Sequence, residues 1–330
     1  MLSIRDTATE MIQFVMPEHA GAPGQIHGGR MMEWIVAAGT VAASRVARGT
    51  VALGAMDDID FLHPVRVGEI AILRAQVEYV GRSSLEVGVR VDAENPATGE
   101  RAPMLSSHLA FVSVDEEASP KPVLQKIEPS SPAEAALARA ARERRERRLG
   151  RFALKAERIG EVREEPEELR WRFESTRAVL PEEALFGSFM FPGKLLMGID
   201  EAAGILSVRY TRGFTMTASM DALDFYSPVR VREVLTLRAG LNYVGTTSME
   251  IGVKVLAEEP RTGRVRHACT AFLTFVHVGP DRRPRPVPPF TPESPAEQRR
   301  WDAAAARREA RLARVKQLKA SIAHEQGRIS

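Results

Sequence analysis

DIDFLHPVRVGE at residues 58–69 and ALDFYSPVRVRE at 222–233 are one motif written twice, and their spacing decides the fold. YVGRSSLEVGVRV (79–91) and YVGTTSMEIGVKV (243–255) repeat at the same distance. A shift of 164 positions lays residues 15–115 on 179–279 without a gap, and about 39 of the 101 pairs are identical. The tails repeat as well. SPAEAALARAARERRERR from 131 matches SPAEQRRWDAAAARREAR from 294, with the shift changed to 163. Each half is therefore one module followed by a charged helix. Segment 116–135, rich in Pro, Glu and Ser, reads as the linker into the first such helix. The expected organisation is module 1 over 1–118, linker and charged helix over 119–165, module 2 over 166–282, and a C-terminal charged helix over 283–330.

Within a module the hydrophobic period changes in order. Residues 8–16 have strand character, with Met11, Gln13 and Val15 on one face. A glycine-rich turn leads into an Ala- and Met-rich stretch, 30–47, apolar on nearly every side, which predicts a buried helix. Four runs of period-2 alternation follow at 51–62, 69–80, 84–94 and 105–115. NPATGE (95–100) and EPRTGR (259–264) mark the hairpin turns. The prediction is an α+β tandem hotdog. Each long central helix is wrapped by an antiparallel sheet, and the two sheets join edge to edge so that neither leaves an open strand there.

Composition narrows the function classes. The chain has 330 residues, 44% apolar and 27% charged, with a net charge of +3, which is ordinary for a globular protein. The arginine excess is concentrated at 139–148 and 299–314, where Ala and Glu are interleaved and no aromatic platform accompanies it. These stretches read as solvated or interdomain helix faces, and nucleic acid is not an expected partner. A single cysteine, Cys269, leaves no intramolecular disulfide and no cysteine metal cage. No run of 18 or more apolar residues predicts a membrane span, and the N-terminus lacks the pattern of a secretory signal, so a cytoplasmic location is expected.

HAGAPGQIHGGRMMEWI (19–35) and LLMGIDEAAG (195–204) carry the chemistry. Together with the duplicated module, the PVRVGE-type loop and the arginine-rich tails, they resemble the double-hotdog acyl-CoA thioesterases. The resemblance implies hydrolysis of an acyl-CoA thioester to free acid and CoA, with no metal or other cofactor. It also implies further assembly into homo-oligomers of double-hotdog units. In that family a His-Gly-Gly or Phe-Gly-Gly turn opens the helix, an acidic residue follows eight positions after the first glycine, and an Asn lies upstream. A glycine N–H at a helix N-terminus can meet the charge that develops on a thioester oxygen, and a carboxylate across the cleft can take a proton from water.

In that family the acid comes from the partner module, so the resemblance implies two possible sites. Site one combines His27, Gly28 and Gly29 with Asp200. Site two combines Phe191, Pro192 and Gly193 with Val36; Pro192 has no N–H and Val36 no base. The resemblance therefore implies one working site. One position departs from the family: the Asn aligns with Gly21, and with Leu185 in the second repeat. His27, His19 and Glu33 are near candidates to replace it. Arg66, Lys194 and Arg230 are candidates for the CoA phosphates, though loop arginines are common. His27 can equally be a hydrogen-bonding residue that fixes the turn. Gly28 and Gly29 can simply permit a tight entry into the helix. Asp200 can be one half of a structural salt bridge, although an unpaired carboxylate among Leu195, Leu196, Met197, Ile199, Ala202 and Ala203 is costly. The alternative to an enzyme is a catalytically degenerate acyl-CoA-binding or regulatory protein, favoured by Gly21. A hydratase or dehydratase is a third reading.

Overall fold

The computed structural model describes residues 2–21, 24–159 and 168–326. The boundary expected between 165 and 166 lies outside the described residues. The first repeat contains β1 (Thr9–Phe14), α1 (Gly28–Ala47), β2 (Val51–Met56), β3 (Ile59–Asp60), β4 (Ile70–Val80), β5 (Ser84–Glu94) and β6 (Arg101–Ser113). Its tail forms α2 (Pro132–Ile159). The second repeat contains β7 (Arg172–Ala178), α3 (Pro192–Thr211), β8 (Phe214–Met220), β9 (Leu223–Asp224), β10 (Val234–Val244), β11 (Ser248–Glu259) and β12 (Arg264–Val278), followed by α4 (Pro295–Gln326). Each module is a hotdog: an antiparallel sheet wrapped around one long helix.

The apolar circumference of α1 is explained by its surroundings. Met31, Met32, Ile35, Val36, Ala42 and Ala43 are all fully buried. The helix packs on β4, β5 and β6 on one side and on α3 on the other. In β1 the side chains of Met11 and Gln13 turn inward while Ile12 and Phe14 face out, as the alternation predicts.

The stretch expected as one strand, 51–62, is divided. β2 pairs with β6 in its own sheet, whereas β3 crosses to the other module and pairs with β8, Ile59 opposite Met220 and Asp60 opposite Ser219. The second repeat reciprocates: β9 pairs with β2, Ala55 opposite Asp224 and Met56 opposite Leu223. The sheet orders are thus β1-β4-β5-β6-β2-β9 and β3-β8-β12-β11-β10-β7. The edges that meet are closed by exchanged two-residue strands, which satisfies backbone groups that would otherwise face an open edge.

The basic tails lie across the sheets, and one face of each is not solvated. In each SPAE sequence the serine caps the helix. Ser131 Oγ accepts the Glu134 N–H at 3.2 Å, and Ser294 Oγ accepts the Glu297 N–H at 3.1 Å, with proline at the first helical position, where no N–H is needed. Inward-facing arginines then meet carboxylates on the strands. Arg148 grips Glu86 at 2.7 and 2.9 Å and Asp57 at 3.1 Å. Its counterpart Arg311 grips Asp221 at 3.1 Å and Glu250 at 2.9 Å. One turn further on, Arg151 reaches Asp224 of β9 and Arg314 reaches Asp60 of β3. Each tail therefore ties down the strand that the opposite module has lent.

Candidate active site

α1 and α3 pack so that the N-terminus of each lies against the middle of the other. A Cβ placed on Gly29 would stand 3.0 Å from the Asp200 Cβ and the Met197 Cα, so glycine is what lets the two backbones approach this closely. Asp200 is entirely buried at this crossing. The Gly29 N–H donates to its Oδ2 at 2.7 Å, and the Thr217 hydroxyl of β8 donates to its Oδ1 at 2.8 Å. The His27 Nδ1 lies 3.3 Å from Oδ2 without forming a hydrogen bond, and this nitrogen has no other partner among the described residues. Burial pushes the Asp200 carboxyl above the ordinary carboxylate range; His27, Thr217 and Gly29 each pull it down and offset that only in part.

The Gly28 N–H, at the first helical position of α1, is taken by no backbone or side-chain acceptor among the described residues. Gly28 and His27 open onto a cleft of about 850 Å³ between the modules. Phe61 and Met104 line it from the first repeat, and Ile205, Val208, Met216 and Phe275 from the second.

The pseudo-symmetric position is closed. There the space is about 50 Å³, lined by Leu53, Leu185, Phe186, Phe189, Pro192 and Leu195 among others. Residue by residue, Gly21, His27, Gly28 and Thr217 on the open side correspond to Leu185, Phe191, Pro192 and Leu53 on the closed one. Val36 stands where Asp200 does.

The sequence pattern of the thioesterase superfamily matches residues 23–100 and 187–264, the same span of each repeat. The Bacillus subtilis protein named uncharacterized acyl-CoA thioester hydrolase YkhA is 40% identical over 122 residues, 37% of this chain and 71% of its own length. This chain belongs to the acyl-CoA thioester hydrolase family. The cytosolic acyl coenzyme A thioester hydrolase of Mus musculus is 28% identical over 306 residues, covering 88% of this chain and 80% of its own. The crystal structure of a hexameric acyl-CoA thioesterase aligns at 35% identity and a TM-score of 0.43, covering 46% of this chain and 97% of that one.

The remaining residues singled out from the sequence fall in separate places. Arg66 lies beside the open cleft, bridged through its backbone to Gln25, and its guanidinium makes no hydrogen bond or ion pair among the described residues. Arg230 sits at the closed side, stacked over Phe189 at 4.9 Å and donating to the Glu117 carbonyl at 3.1 Å. Lys194 is also at that end, 2.9 Å from Glu33. Glu33 is paired with Arg30 as well, so both of its partners are cations and neither is in the Asp200 cluster. His19 is occupied elsewhere: its Nδ1 accepts the Met16 N–H at 3.1 Å and its ring meets Trp34 edge-on. Gly21 lies at the open cleft, and a Cβ there would come within 3.3 Å of the His27 ring.

Sequence reasoning passed over Thr217, Gln25, Arg209 and Arg282, all of which line the open cleft. The signal for two of them was present. Thr217 is the repeat equivalent of Leu53 and Gln25 that of Phe189, so at these two positions only the open side carries a polar residue.

Proposed function

We propose that this protein hydrolyses acyl-CoA thioesters to free carboxylic acid and CoA at one composite site, that of His27, Gly28, Gly29 and Asp200. The observation that carries the reading is the buried Asp200 carboxylate of one module docked on the helix N-terminus of the other, beside the Gly28 N–H, which no acceptor among the described residues takes, at the head of an open cleft. The thioester oxygen accepts from the Gly28 N–H, where the helix dipole favours the charge that builds as water attacks. Gly29 fixes the carboxylate. Asp200 has no solvent surface, so a proton from the attacking water reaches it beside or through His27, whose side chain is 30% exposed. Collapse of the tetrahedral intermediate breaks the C–S bond, and the proton is returned to the departing sulfur. Arg209 and Arg282 line the cleft and Arg66 stands beside it, which supports a role for them on the CoA phosphates; Lys194 and Arg230, at the closed side, would serve only a second site.

Free-thiol release from a panel of acyl-CoAs tests the reading: turnover is expected with at least one chain length, and silence across the panel overturns it. Titration with a non-hydrolysable acyl-CoA is expected to give one site per chain. Pro192→Gly should leave turnover unchanged, because Val36, Leu53 and Phe191 still supply neither base nor space; a clear rise would reveal a second working site. Gly21 favours one competing reading, acyl-CoA binding without turnover. That reading predicts the same stoichiometry with no thiol released.

The domain limits given above, self-association of the double module and a cytosolic location like that in the mouse relative's name belong to this proposal. Sedimentation and fractionation test the last two. Among the described residues no helix is long and apolar enough to cross a membrane.

A further inference from the structure

Gln25 stands in the wall of the open cleft, two residues before His27, and is only 4% exposed. Its backbone is fixed: the carbonyl accepts the Gly21 N–H at 2.9 Å, and the residue is bridged to Arg66. Its carboxamide, by contrast, makes no hydrogen bond among the described residues, and Oε1 is buried without a partner. A buried amide left unpaired costs stability, and such a group calls for a function or a bound water. The closed side shows what the fold alone prefers at this position. There the counterpart is Phe189, whose ring fills the space.

The cleft lacks an amide at the position where the family places one. Gly21 has no side chain, and the volume a side chain would enter is bordered by the His27 ring at 3.3 Å. Gln25 brings a carboxamide to the same wall from four residues further on. We infer that the Gln25 carboxamide holds the attacking water, taking over the task that glycine at position 21 leaves vacant. Oε1 has no solvent-accessible surface as it stands; a half-turn of the carboxamide, which exchanges Oε1 with Nε2, presents the oxygen to the cleft, where it accepts one hydrogen of the water. The other proton passes to the His27–Asp200 pair as the oxygen adds to the thioester carbon. This rests on the hydrolase reading above.

Gln25→Leu separates the role from a structural one, because the two predict opposite signs. If the amide acts on water, kcat for acyl-CoA hydrolysis falls roughly tenfold or more, the loss of one neutral hydrogen bond made in the transition state. KM stays within about threefold, since ground-state binding is untouched. The Tm is unchanged or raised, because an unpaired polar group has been removed from a buried place. A kcat within about threefold of the wild type overturns the inference. So does a lowered Tm accompanied by a matching loss of activity, which would make Gln25 part of the fold alone. Wild-type protein that releases no thiol from any acyl-CoA overturns the hydrolase reading and this inference together, whereas an active wild type with an equally active Gln25→Leu overturns only this one.

Discussion

Asp200→Asn should lower kcat by ~10²–10⁴-fold, the usual range for loss of a general base, with KM changed little. The substitution preserves size and both anchoring contacts. The Gly29 N–H can donate to the asparagine oxygen, and the Thr217 hydroxyl can turn to accept from the amide nitrogen. What disappears is the charge and the ability to take a proton. Asp200→Ala would be a poorer probe, since it leaves the Gly29 N–H and the Thr217 hydroxyl without partners, at about 1–3 kcal/mol each.

Stability gives a second readout with a definite sign. Burial raises the folded-state pKa of Asp200, so the ionised form is penalised in the native protein. The stability linked to its proton is fully present below the ordinary carboxylate range and is lost as pH rises through the higher folded value. The carboxamide of the Asp200→Asn variant does not titrate. Its Tm should therefore equal or exceed the wild type at neutral pH, and the gap should close on acidification. A variant with wild-type kcat would remove Asp200 from the reaction, and a large Tm loss at neutral pH would make it a structural cap for α1.

The duplicated module was legible because the repeat is gapless and each run has an unambiguous period. The helix core, the inward face of β1 and the hairpins all follow from patterns confined to single elements. The exchange of β3 and β9 was not legible. Ile59 and Asp60 continue the alternation of β2, and only the meeting of two modules shows that they pair with β8 instead. The asymmetry of the two sites could be read in part, since Pro192 lacks an N–H and Val36 lacks a base whatever the packing. Thr217 lies outside both motif stretches, and Gln25, although inside the 19–35 stretch, carries no mark in the sequence that its carboxamide is buried and unpaired. Both become visible only when the two clefts are compared position by position. The tail arginines were underestimated for a related reason: a helical sequence shows which residues share a face, not that buried carboxylates wait opposite that face.

Those carboxylates make Arg311→Ala the substitution with the largest expected effect on stability. Arg311 is 7% exposed and spans three elements. It donates to Asp221 between β8 and β9, to Glu250 on β11 and to Thr274 on β12. Glu250 is buried and Asp221 half-buried, and Glu250 raises the Asp221 pKa while Arg311 lowers it against a larger rise from burial. Removing the guanidinium leaves two carboxylates close together, with Arg307 on Glu250 and Arg314 3.9 Å from Asp221 as the remaining counter-charges. Breaking a buried pair from one side costs about 3–5 kcal/mol, because the surviving charge keeps its desolvation penalty without its partner. At roughly 2–4 °C per kcal/mol for a domain of 150–250 residues, that is a fall in Tm on the order of 10 °C. The deficit should shrink at acid pH, where protonation of Asp221 relieves the repulsion. Arg299 on the same helix is exposed, and its replacement by alanine should move stability by no more than about 0.5 kcal/mol. Equal, small shifts for Arg311→Ala and Arg299→Ala in thermal melts would show that the tail is a solvated helix after all, and that the exchanged strands hold the two modules together without it.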